Sequence, residues 1–128
     1  MRRVILVMLL AVASSSVMAE WKEVGINSGI TTYANPSIIH KAGNRVEMWH
    51  LFDFKTAGTE NSNTYLSLKV KSEYDCKKVQ SRSLYTSAHK GHMGKGEVVS
   101  IESGPEEWKP IPLGSAKEYL FYIACRKK

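Results

Sequence analysis

Residues 45–55, RVEMWHLFDFK, decide the architecture. Val46, Met48, His50, Phe52 and Phe54 fall on every second position, the period of a strand with one buried face. Trp49 and Leu51 occupy the opposite face, where a singly covered sheet meets solvent. Outward from this stretch the chain keeps the same grammar. Thr64 to Tyr74 alternates again, with Leu66, Leu68 and Val70 on one side and Tyr65, Ser67, Lys69 and Lys71 on the other. Shorter strands are expected over Trp21–Val24, Ile30–Tyr33, Ser81–Ala88 and Glu97–Glu102. Turn material separates them at Asn27-Ser28-Gly29, Asn35-Pro36, Ala42-Gly43-Asn44, the polar Ala57–Asn63 segment and the glycine-rich His89–Gly96 segment. The short connections favour an antiparallel meander over a parallel sheet.

The last element differs in period. Pro110, Pro112 and Gly114 argue against a strand, and Ser115-Ala116-Lys117-Glu118 has the spacing of a capping box. Ala116, Tyr119, Leu120, Ile123 and Ala124 then recur at helical spacing. The fold class is therefore α+β, a sheet followed by one C-terminal helix. Cys76 ends the long Thr64–Tyr74 strand and Cys125 ends the helix, so a bridge between them docks helix on sheet.

The N-terminus supplies the compartment in which that bridge forms. Arg2 and Arg3 precede an apolar run from Val4 to Ala13, and Val17-Met18-Ala19 places short residues where a signal peptidase reads. The run is shorter than the roughly 20 residues of a membrane span. Residues 1–19 are thus expected to be a signal peptide, with residues 20–128 one exported domain lacking a membrane span or a lipidation cysteine. Cys76 and Cys125 are the only two cysteines, and two thiols in an oxidising compartment pair. The loop they close is worth about 4 kcal/mol by chain entropy.

Charge narrows the partners. The formal charge of +6 falls to +4 without Arg2 and Arg3, and the basic residues are scattered among acids. That pattern carries neither a basic stripe nor a nucleic-acid motif, which excludes a nucleic-acid module as the first reading. There is no G-x-S-x-G elbow, H-E-x-x-H helix or phosphate-binding glycine loop, and no cofactor motif. Glu47 and Asp53 share a strand face but lie about 20 Å apart at strand rise, too far to act on one bond. The chain is therefore read as a non-enzyme. His89 and His92, with Met93 beside them, have the spacing of a weak copper or zinc pair. Without a third ligand fixed in sequence the segment reads as a solvated loop, and no metal is assigned.

The residues of the long strand, together with several others, carry a family resemblance. Trp21, Arg45-Val46-Glu47-Met48-Trp49, Tyr65-Leu66-Ser67, Glu73-Tyr74-Asp75-Cys76, the Trp108-Lys109-Pro110 approach to Gly114-Ser115, and Cys125 resemble, in this order, the surface-adhesin protein E family of Gram-negative bacteria. The resemblance implies an antiparallel sheet of about six strands tied by the disulfide to the helix, a homodimer, and non-enzymatic binding of host matrix or serum proteins. The missing lipidation cysteine separates this chain from an anchored adhesin and keeps open a second reading. In that reading the protein is a soluble periplasmic inhibitor or accessory factor of another envelope protein.

The expected association face is the one the helix leaves bare. Trp49, Leu51, Tyr65 and Tyr85 project from it, ringed by Glu47, Lys69, Lys71 and Arg82. Large apolar groups inside a charged rim are the layout of a partner surface. The other face, with Val46, Met48, Phe52, Phe54, Leu66, Leu68 and Val70, is expected to lie under the helix.

Overall fold

The computed structural model describes residues 21–60 and 62–126. The signal-peptide reading of residues 1–19, and the start of the exported domain at Glu20, lie outside the described residues. Six long strands follow one another as an antiparallel meander: β1 (Lys22–Asn27), β2 (Ile30–Ala42), β3 (Arg45–Glu60), β4 (Asn63–Asp75), β5 (Gln80–His89) and β6 (Val98–Ser103). A two-residue β7 (Lys109–Pro110) pairs with Gln80 and Ser81 of β5, and helix α1 (Ala116–Arg126) ends the fold.

The long strand is longer than its alternation suggests, for a steric reason. A register shift between Asp53 and Gly58 absorbs the irregular stretch, and pairing with β4 resumes at Gly58 and Tyr65. A Cβ at Gly58 would lie 2.6 Å from the Tyr65 ring, so glycine lets the hairpin continue beneath that ring and a larger residue would have to displace it. Asn35-Pro36 likewise does not end its strand. The β2–β3 register shifts between Asn35 and Ile39, so the proline, which lacks a ladder donor, sits in a bulge while β2 runs on to Ala42. Pro110 is also tolerated in a strand, as half of the short β7. In all three places a bulge or an edge accepts what a central ladder would reject.

The disulfide joins Cys76 to Cys125 as expected, with Cα atoms 5.7 Å apart. It fixes the end of α1 over the start of β3 and the end of β4. Leu120, Phe121 and Ala124 of the helix pack there against Ala34, Val46, Met48 and Tyr74. Each fully buried large side chain in this cluster contributes about 1.5–3 kcal/mol. Tyr74 stacks edge-on to Phe121 at 6.2 Å, and burial pushes its hydroxyl pKa up.

The expected core is only partly the observed one. An 11-residue helix spans about 16 Å, so it covers Val46 and Met48 but not the far half of the same face. Val70 is buried outside the helix cluster, and Phe52, Phe54, Leu66 and Leu68 are half-buried. Phe54 packs instead against Tyr65, with ring centroids 5.6 Å apart. Tyr74 and Ala34 take the vacated places in the core. Ser72 interrupts the apolar run of β4 and hides Tyr74 from a reading of alternation.

Candidate functional site

On the face away from α1, strands β3, β4 and β5 bring three rows of side chains together. The register sets Trp49 opposite Lys71 and Lys71 opposite Tyr85, so all three share this face. Trp49 and Tyr85 meet edge to face at 5.7 Å. The Lys69 Nζ lies 5.1 Å from the centroid of the Trp49 ring and the Lys71 Nζ lies 6.0 Å from it. Lys71 also pairs with Glu47 at 3.1 Å. Trp49, Lys69, Lys71, Tyr85, Ser87 and Val98 line one shallow, open concavity.

The two ends of this face are closed by chain. At one end Trp108 is half-buried, with the Arg82 guanidinium 4.4 Å and that of Arg45 5.3 Å from its centroid. Arg82 is held from the other side by Glu73 at 2.7 Å. At the opposite end the 91–96 segment folds back as a short 3-10 turn, His92–Gly94. Ser67 donates to the Gly91 carbonyl at 2.7 Å and accepts from the Gly94 amide at 2.9 Å. Asp53 accepts the Met93 amide at 2.8 Å and contacts His92 Nδ1 at 3.1 Å. Gly94 has a positive φ of 69°, and a Cβ there would press on Leu51 Cδ1 at 3.1 Å.

That turn decides which of the expected surface residues reach solvent. Leu51 is fully buried beneath it and supports the surface from below rather than forming part of it. Tyr65 is six residues along β4 from Lys71, about 20 Å at strand rise, and packs at the distal hairpin against Phe54. Trp49 and Tyr85 are therefore the two of the four that the structure brings together. Arg82, expected on the rim, is engaged by Glu73 and Trp108. Trp108 is the surface residue that alternation could not find. It sits in a proline-flanked segment with no period, and only the backbone path carries it across the sheet.

The histidines are dispersed. His89 is buried with its Nε2 2.7 Å from the Ser87 hydroxyl, and burial holds its pKa below the ordinary value. The distance is that of a nucleophile and base, but no carboxylate bonds the second ring nitrogen, and Ser87 is only 3% exposed. His92 turns to Asp53, so it does not converge with His89, and the described residues contain no group of three or more metal-ligating side chains. His50 lies on the helix side, buried, with Nδ1 unpartnered among the described residues. Burial, with Lys117 nearby, lowers its pKa to about 3.

Comparisons with known proteins bear on the fold and the family. The family model described as surface-adhesin protein E matches residues 21–126. Among solved structures, protein E from non-typeable Haemophilus influenzae superposes with a TM-score of 0.64 at 10% identity, over 84% of this chain and 76% of that one. A second structure of Haemophilus influenzae protein E gives 0.62 at 10% identity, over 84% and 85%. Its crystal form II gives 0.58 at 11% identity, over 80% and 91%. No curated protein matches the sequence. At such identities the superpositions speak for the fold alone.

Proposed function

The chain belongs to the surface-adhesin protein E family, and from that premise we propose that it is a non-enzymatic protein-binding module of the bacterial envelope that binds through the Trp49–Tyr85 surface. The observation that carries the proposal is the Trp49–Tyr85 pair itself. Two aromatic rings in edge contact, flanked by Lys69 and Lys71, lie half-exposed on the sheet face that α1 does not cover. Aromatic and cationic side chains of this kind are the usual anchors of protein interfaces. No helix among the described residues is long and apolar enough to cross a membrane. The partner is a host matrix or serum protein or another envelope protein, and the same surface is the contact of a homodimer.

The test has two arms. Wild type and Trp49→Ala are immobilised and exposed to host serum and to envelope extract, and retained proteins are identified. A partner kept by wild type and lost by the variant supports the surface. Identical retention by a folded Trp49→Ala protein removes it. Protease treatment of intact cells then separates the locations. Digestion means display at the surface, whereas protection with release in the periplasmic fraction means an accessory role inside the envelope.

A further inference from the structure

The way Trp49 is held says what kind of partner the surface takes. One face of an aromatic ring can stack on a sugar or a side chain only if nothing else occupies it. Here Lys69 and Lys71 stand over the ring and Tyr85 abuts it, so Trp49 is already engaged. Lys69 and Lys71 are two residues apart on β4, on one face, which sets their Cα atoms about 7 Å apart. A carboxylate arriving on the Trp49 face therefore meets two neighbouring lysines of one strand. Lys71 shares its charge with Glu47, while Lys69 makes no ion pair among the described residues.

We propose that Trp49 is a positioning residue that holds Lys69 and Lys71 as a carboxylate receptor, and that the partner is an acidic protein segment with aliphatic flanks. The inference rests on the reading of this surface as the partner site. Cation–π contact keeps the Lys69 ammonium near the ring without neutralising it, so its charge stays available to an incoming anion, while Lys71 would share its charge between Glu47 and that anion. The aliphatic flanks follow from the rim. Val98 and Ile101 are 44% and 57% exposed. Ile101 pairs with Ser87 and Val98 with His89, which puts both on the Trp49 face. Aliphatic side chains beside a cation favour a peptide over an anionic glycan, whose hydroxyls would be desolvated there without partners.

The probe is a fluorescein-labelled nonapeptide carrying two glutamates between leucines and serines, compared with its glutamine counterpart and with a size-defined heparin fragment. Fluorescence anisotropy should show the glutamate peptide binding at least tenfold more tightly than the glutamine one, with the preference reduced in 0.5 M salt. Lys69→Gln should reduce that preference at least fivefold. Trp49→Leu should reduce it while Trp49→Phe, which restores a ring, retains most of it. Equal binding of the two peptides, an unchanged preference in Lys69→Gln, or tighter binding of heparin than of the acidic peptide overturns the proposal. Loss of a captured partner in Trp49→Ala alongside equal peptide binding would keep the surface and discard its acidic partner. If no captured partner depends on Trp49, the surface itself falls.

Discussion

His50 and Trp49 are adjacent in sequence and belong to different layers, and the contrast sets what each can do. Trp49 is half-exposed among lysines, whereas His50 is 4% exposed with its Nδ1 unpartnered. Only the neutral imidazole fits there, so the folded protein binds its proton near pH 3 and the unfolded chain near 6.5. A depressed folded-state value gives stability that is complete above pH 6.5 and is lost as the pH falls from there towards 3. The slope is about 1.4 kcal/mol per pH unit for one proton. Between pH 7 and 5 the contribution is about 2 kcal/mol. Urea midpoints measured across that range should fall for wild type and fall less for His50→Leu. Parallel curves for the two proteins would mean that His50 is protonated without cost. The alternation of β3 made the inward placement of His50 legible, since it shares a parity with Val46 and Met48. The missing partner was not legible, because hydrogen bonding inside a core depends on what the helix and the neighbouring strand present.

At the scale of elements, α1 depends on its two ends. Ser115 Oγ accepts the Glu118 amide at 3.3 Å and donates to the Pro112 carbonyl at 2.6 Å. Glu118 reaches back to the Gly114 amide at 3.0 Å, one residue earlier than a standard capping box. Ser115→Ala should therefore cost about 1 kcal/mol in thermal or urea unfolding, and Ser115→Asp should be nearly neutral. An alanine variant that melts with wild type would remove Ser115 as the cap. At the other end, Cys76→Ser with Cys125→Ser should lower stability by about 2–5 kcal/mol. Loss of amide protection in α1 should exceed the loss in β2 to β4, because the strands keep their ladders when the helix loosens. Both ends of the helix were readable from local chemistry, a cap spacing and a lone pair of cysteines. The extent of its cover was not. Phe52 and Leu68 have the same alternation as Val46 and Met48, and only the length and anchor point of α1 separate them. The turn at His92–Gly94 was illegible for a related reason. Its hold on Ser67 and Asp53 spans 24 to 40 residues of sequence, and it lies against Leu51, which is buried rather than on the surface.

On the scale of the whole molecule, the sheet presents one face partly closed by α1 and another closed at its ends by Trp108 and the 92–94 turn. The middle of that second face is where two copies would meet. A two-fold contact places each residue against the same patch of the other subunit. Lys69 and Lys71 would then face the same lysines of the second copy, with Glu47 the nearest compensating charge. Burial of Trp49, Tyr85 and Ile101 favours such a dimer, and like charge opposes it. Both terms act on one equilibrium, and salt screens only the second. Sedimentation equilibrium should therefore show a dimer that tightens between 50 mM and 500 mM salt, the reverse of the acidic peptide. Trp49→Ala should weaken dimerisation by more than 1 kcal/mol at both concentrations while leaving a folded monomer. A wild-type chain that stays monomeric at several hundred micromolar in either salt would remove the dimer and leave the surface to a different, acidic partner. A dimer that dissociates as salt rises would place the contact elsewhere, on a surface of opposite charges.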